Sequence, residues 1–94
     1  MSKLINKVAV ITGGNSGIGR AITQKFTEQK ADVVIFGRNQ ETLEEAVKEV
    51  GNGTLAVQGD VRNGKDLDKL FGLVKEKYGK IDTLVFLQIG RQVS

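Results

Sequence analysis

"ITGGNSGIGRA", Ile11 to Ala21, places four glycines within the seven positions from Gly13 to Gly19, between an apolar run and a stretch of helical pattern. A strand that turns sharply into a helix exposes the helix's first backbone N–H groups and the positive end of its dipole. That is an anion site as long as nothing bulky covers it. A first glycine permits the tight turn, a second lets a pyrophosphate approach the backbone, and a third lets the helix lie close to the sheet. Gly13, Gly17 and Gly19 stand at those three roles, with Gly14 as an extra. Asn15 and Ser16 either contact phosphate or ribose through their side chains or serve the turn alone.

The spacing is G-x-x-x-G-x-G, not the more familiar G-x-G-x-x-G, so the surrounding pattern has to support the reading. Short continuous apolar runs occur at Val8–Ile11, Val33–Phe36, Leu55–Val57 and Leu84–Leu87. Such runs suit strands buried on both faces of a parallel sheet. Between them lie helical stripes. Ile18, Ala21, Ile22 and Phe26 form the first, directly after the glycines. Leu43, Ala46, Val47 and Val50 form the second, with Asn39 as its cap and Gly51 as a left-handed stop. Leu67, Leu70, Phe71, Val74 and Tyr78 form the third, capped by Asn63 and stopped by Gly79. The order βαβαβαβ predicts an α/β fold with a parallel sheet and a single domain over residues 1–94. The glycine motif opens its first crossover.

Composition removes several function classes. The 94 residues contain no Cys and no His, which excludes thiolate and imidazole chemistry and the usual zinc sites, so no metal site is expected. The net charge of +3 is spread along the chain without a basic block, and the single Tyr leaves no stacking platform, which argues against nucleic acid. No segment approaches the roughly 20 apolar residues of a membrane span, and no leader is evident, so a cytoplasmic protein is expected. Glu41, Glu44, Glu45, Asp66 and Asp68 fall on polar helix faces and read as solvated charges.

"TGGNSGIG", Thr12 to Gly19, resembles the TGxxxGIG cofactor motif of the short-chain dehydrogenase/reductase family. "GDV", Gly59 to Val61, resembles the family's Asp-Val pair after the third strand, and "KYGKIDTLV", Lys77 to Val85, resembles its approach to the fourth. The resemblance implies the N-terminal half of a Rossmann-like, doubly wound sheet with strand order 3-2-1-4. It also implies a dinucleotide cofactor held by Gly13, Asn15, Ser16, Gly17, Ile18 and Gly19, with Asp60 and Val61 at its adenine end. Asp60 has a competing reading as a loop-initiating residue.

An acidic residue is expected at the end of the second strand in sites that hold the ribose 2′-hydroxyl of NAD. Here Gly37 occupies that place and Arg38 follows, so a 2′-phosphate would meet a guanidinium. NADP is therefore expected in preference to NAD. Asn39 either shares that contact or simply caps its helix, and Arg38 has the alternative of an ordinary surface arginine.

The resemblance stops after Val85, where the family continues Asn-Asn-Ala-Gly and this chain reads "FLQIGRQVS", Phe86 to Ser94. The family's catalytic Ser and its Tyr-x-x-x-Lys pair have no counterpart, because Tyr78 is followed four residues on by Asp82. No catalytic residue is assigned, and the 94 residues are expected to bind NADP(H) without turning over substrate. Two further readings stand beside this one. In the first, another chain completes a split oxidoreductase. In the second, the chain is a ligand-free homo-oligomer joined through the apolar strand Leu84–Leu87. A flavodoxin-like or ATP-binding module is the outside alternative, and the absence of G-x-x-x-x-G-K-[ST] counts against the latter.

Overall fold

Three helices alternate with four strands in the computed structural model, which describes residues 4–13, 17–51 and 53–86. The elements are β1 (Val8–Thr12), α1 (Gly17–Glu28), β2 (Asp32–Gly37), α2 (Gln40–Val50), β3 (Leu55–Gln58), α3 (Gly64–Tyr78) and β4 (Thr83–Phe86). The strands form one parallel sheet in the order β3-β2-β1-β4, the doubly wound arrangement expected. Ala9, Val10, Ile11 and Thr12 pair with Val33, Val34, Ile35 and Phe36 on one side, and with Thr83, Leu84, Val85 and Phe86 on the other.

Because side chains alternate across a strand, each apolar run divides between two cores. Val8, Val10, Val34, Phe36 and Val57 pack with Leu70 and Val74 of α3. Ala9, Ile11, Val33 and Ile35 pack on the opposite face with Leu43 and Ala46 of α2, flanked by Ile22 and Phe26 of α1. A layer of helix therefore covers each face of the two central strands, which explains why β1 and β2 are continuously apolar. Fully burying a side chain such as Phe36 or Ile35 contributes about 1.5–3 kcal/mol, so the paired layers dominate the stability of this small domain.

Both caps that start α2 and α3 and the stop of α3 are as the sequence predicts, while the expected left-handed stop of α2 at Gly51 is not formed. Asn39 Oδ1 accepts the Thr42 N–H at 3.2 Å, and Asn63 Oδ1 accepts the Lys65 and Asp66 N–H groups. Gly79 closes α3 in the left-handed region at φ 82°. Gly51 also has a positive φ of 68°, although its ψ of −147° takes the chain out of the helical region altogether.

Helix α1 departs from the expected stripe. Its buried positions are Gly19, Thr23 and Thr27, with Ile22 and Phe26 half-buried, while Ala21 is exposed and Ile18 is 72% exposed. The helix thus meets the sheet along small residues together with Ile22 and Phe26, two of the four expected positions, while Ile18 and Ala21 fall outside the contact. The buried Thr23 hydroxyl is satisfied locally, donating to the Gly19 carbonyl at 2.8 Å.

Strand β4 runs over Thr83–Phe86 instead of Leu84–Leu87, and Leu87 lies outside the described residues. Val85 joins the core on the α1/α2 side, but Leu84 and Phe86 stand on the α3 side at 48% and 52% exposure. No described helix covers that part of the sheet.

Candidate functional site

The chain leaves β1 outward through β2 to β3, then returns to lay β4 on the other side of β1. In open α/β sheets, such a reversal of strand order leaves a crevice beyond the carboxyl ends of the strands. The sequence-predicted residues stand at that end. Gly13 follows β1, Gly17 to Gly19 open α1, Arg38 and Asn39 follow β2, and Asp60 and Val61 follow β3. Gly14, Asn15 and Ser16 lie outside the described residues.

Gly13 has φ 76°, a conformation that disfavours any side chain, and its N–H donates to the Phe36 carbonyl at 2.7 Å. The first glycine therefore makes a tight turn held against β2. Gly19 is buried on the sheet-facing side of α1, the place where a third glycine lets the helix approach. Gly17 differs from both: its φ is ordinary, and a Cβ built on it would have nothing within 4 Å. Among the described residues neither backbone conformation nor packing calls for a glycine there, as is also true of Gly64 at the start of α3. Helices α2 and α3 carry Glu41 and Asp66 in their first turns, whereas α1 has no acidic residue in its own. Among the described residues no carboxylate therefore offsets the positive end of the α1 dipole.

At the end of β2, the Gly37 carbonyl accepts the Gly59 N–H at 2.8 Å, and the Arg38 carbonyl accepts Gln58 Nε2 at 3.1 Å. These bonds fix the backbone on which the exposed Arg38 side chain is carried. Among the described residues its guanidinium has no ion pair. Asn39 is committed to its cap through Oδ1, and Ile18 presents an exposed apolar side chain beside the glycines.

The loop after β3 is more closely tied than the sequence suggests. Arg62 donates three hydrogen bonds to the Asp60 carboxylate: its backbone N–H and Nε to Oδ1 at 2.9 and 3.2 Å, and Nη2 to Oδ2 at 3.1 Å. These side-chain and backbone bonds lower the Asp60 pKa, slight burial opposes them, and the charges of Arg62 and Arg38 add to the lowering. Asp60 thus serves the turn while remaining ionised at the base of the crevice. Val61 is half-buried against the α3-side core.

Asp66, expected as a solvated charge, is instead half-buried, and its Oδ2 accepts the Asp60 N–H at 2.9 Å. At the start of α3 an acidic side chain finds both the helix dipole and an unpaired loop amide. Sequence reasoning also missed Arg62, whose signal is its position two residues after an aspartate at a strand end. Gly59 is required by contact: a Cβ there would stand 2.6 Å from Cε1 and Cζ of Phe36.

Other features lie elsewhere. A cavity of about 480 Å³ between β3 and α3 is lined by Leu55, Val57, Lys69 and Leu73 among others, and includes none of the predicted site residues. Tyr78 packs against the α3-side core, and burial, followed by the charge of Asp32, raises its pKa. That shift is opposite to the one an activated phenol needs. Among the described residues no helix is long and apolar enough to cross a membrane, and no cluster of metal-ligating side chains occurs.

Comparison with known proteins agrees with this geometry. Residues 7–86 match the family model described as short chain dehydrogenase. A solved short chain dehydrogenase from Bacillus anthracis is 43% identical and superposes with a TM-score of 0.86, over 90% of this chain and 35% of that one. A 3-ketoacyl-(acyl-carrier-protein) reductase from Brucella melitensis, solved in complex with NADH, is 36% identical with a TM-score of 0.82, over 87% of this chain and 34% of that one. The NADP-dependent (R)-specific alcohol dehydrogenase of Lentilactobacillus kefiri is 41% identical over 88% of this chain and 34% of its own length. The chain spans about a third of the length of the curated relatives it matches. With strand order, glycine turn and family model in agreement, the chain belongs to the short-chain dehydrogenase family.

Proposed function

We propose that the chain is the cofactor-binding part of an oxidoreductase and that it binds NADP(H) in preference to NAD(H). The observation that carries the reading is the left-handed turn of Gly13 from the carboxyl end of β1 toward α1, which opens at Gly17 with no described residue within 4 Å of an added Cβ and packs against the sheet at the buried Gly19. The pyrophosphate lies against Gly13, Gly17 and Gly19 and the helix start, with Asn15, Ser16 and Ile18 beside it. Arg38 receives the 2′-phosphate, Asn39 stands next to it, and Asp60 and Val61 bound the adenine. The charge of Asp60 is already answered by Arg62, so the carboxylate does little to repel a phosphate at Arg38. The related proteins include one that is NADP-dependent and one solved with NADH, so on this reading the choice rests on the end of β2.

When bound, the nicotinamide supplies or accepts a hydride. The proton-transfer pair that such chemistry needs does not fall among these residues, whose part in it is to bind and orient the nucleotide. Calorimetric titration with NADP and NAD tests the reading. NADP should bind at least about tenfold tighter, and Arg38→Ala should abolish the difference, because a charge-assisted bond is lost only with the 2′-phosphate present. Equal binding of the two nucleotides would remove Arg38 from its role, and binding of neither would remove the cofactor.

The exposed Leu84 and Phe86 favour a second reading, in which β4 pairs with β4 of a second copy. The copy would shield the exposed side chains of Leu84 and Phe86, whether or not nucleotide is bound, and completion by a different chain is the variant of the same idea. Sedimentation at micromolar concentration should show a dimer, and a strictly monomeric species would end this reading.

A further inference from the structure

Strand β3 is the outer strand of the sheet on the side away from β4, so one row of its backbone N–H and C=O groups has no neighbour among the described strands. It carries no charged residue and no proline, two of the devices that keep such an edge from pairing. Beside it, the groove of about 480 Å³ between β3 and α3 is lined by Leu55 and Val57 of the strand and by Lys69, Leu73 and Glu76 of the helix. Leu73 is 39% exposed and belongs to neither core, and a Cβ added at the adjoining Gly72 would meet open space. Lys69 and Glu76 are exposed, and among the described residues neither forms an ion pair. Lys77, the other cation of the groove, has its ammonium 5.7 Å from the centre of the Tyr78 ring.

This surface is its own complement. Lys69, Gly72, Leu73 and Glu76 fall at i, i+3, i+4 and i+7, one stripe of α3. Reversed about the midpoint between Gly72 and Leu73, the stripe sets Lys69 opposite Glu76 and Leu73 opposite Gly72. A twofold axis performs that reversal on two copies of one surface. An axis perpendicular to the sheet also brings two β3 edges together antiparallel, the direction in which they can share a ladder. We propose that the edge formed by β3 and α3 docks a second copy of this chain across such an axis, joining the two four-stranded sheets into one. Leu73 of each copy enters the groove of the other beside Gly72, and two Lys69–Glu76 pairs fix the register. A four-residue strand supplies few ladder bonds, so the charges on the helix decide which partner fits. The contact uses none of the predicted nucleotide residues and lies at the opposite edge of the sheet from Leu84 and Phe86, so it is independent of both readings above.

The test is sedimentation of the 94-residue chain and two charge-swapped variants, Lys69→Glu and Glu76→Lys, at micromolar concentration. The parent should self-associate. Each swap sets like charges against each other at two symmetric places and should weaken association by at least about tenfold. Mixing the two variants places Glu against Glu nowhere and opposite charges at both contacts, so the mixture should associate as tightly as the parent. Lys and Glu both favour helix and both positions are exposed, so circular dichroism should show each variant folded. A misfolded variant would not be restored by mixing, which keeps a loss of fold apart from a loss of contact. Association unchanged by either swap would put the contact elsewhere, β4 included, and overturn the proposal. So would a strictly monomeric parent, or two weakened variants whose mixture stays weak.

Discussion

Replacing Gly17 by alanine should strengthen the fold and weaken the site. Gly17 is the first residue of α1, its φ is ordinary, and the added Cβ would meet nothing within 4 Å. The substitution therefore costs no contact in the free chain, and it narrows the conformations open to the unfolded chain. At a compatible position that exchange stabilises by about 0.4–1 kcal/mol. For a domain of this size, the gain is a rise in melting temperature of roughly 2–8 °C. The same methyl group stands where a pyrophosphate must approach the backbone, so nucleotide affinity should fall by about tenfold or more.

The opposite signs are what make the test decisive. Thermal melts of the free chain and titrations with NADP, run on the same preparations, separate the two effects. Unchanged affinity in a stabilised Gly17→Ala chain would refute the assignment of the glycine turn to phosphate. A destabilised free chain would refute the steric argument, by showing that packing had required glycine after all.

Gly59→Ala should behave in the reverse manner. Its Cβ would come within 2.6 Å of the ring of the fully buried Phe36, which would have to shift, so denaturant unfolding should show a loss of about 1–3 kcal/mol. A loss below about 0.5 kcal/mol would mean that the ring can move. Acid should loosen the amino-terminal ends of β1 and β4. Asp82 Oδ2 accepts the Val8 N–H at 2.8 Å and pairs with Lys80 Nζ at 3.2 Å, and that backbone bond, ahead of the lysine, lowers its pKa. A lowered folded-state pKa contributes stability that is present above the ordinary aspartate value of about 4 and lost as pH falls through the folded value. Denaturant midpoints should therefore hold steady from pH 7 to about 5 and decline below about 4, and Asp82→Asn should flatten the decline. An equal decline in the variant would place the acid sensitivity elsewhere, Asp60 being the next candidate by its own lowered pKa.

The parts of the molecule that were legible in the sequence are those set by one strand or one helix at a time. A continuous apolar run such as Val33–Phe36 can only be buried on both faces, and that alone implies a helix layer on each side of the sheet. Asn39, Asn63 and Gly79 announce helix ends because capping is chemistry within a few residues of chain. The misread parts depend on how closely elements approach. Counting apolarity puts Ile18 and Ala21 on the α1 stripe beside Ile22 and Phe26, and only the latter two pack on the core, because a helix lying close to a sheet selects for small size, which favours Gly19, Thr23 and Thr27. Nothing in the local sequence says that a threonine hydroxyl will be satisfied by a carbonyl four residues back, and without that bond its burial would be costly.

The candidate site divides along the same line. Its glycines could be found by spacing, because a turn from strand to helix constrains neighbouring residues. The electrostatics of the loop after β3 could not, because they depend on three segments meeting: Arg38 after β2, Asp60 and Arg62 after β3, and Asp66 within α3. Asp66 looked like surface charge because its partner is a backbone amide, and amides leave no trace in a residue pattern. Arg62 looked like surface charge because arginine usually is. What distinguishes it is the number of donors it commits to one carboxylate, a quantity that only geometry supplies. That commitment also explains how an acidic residue can remain beside a cleft suited to phosphate. Asp60 is ionised, but its charge is matched within the loop, so the cationic Arg38 is left to act outward.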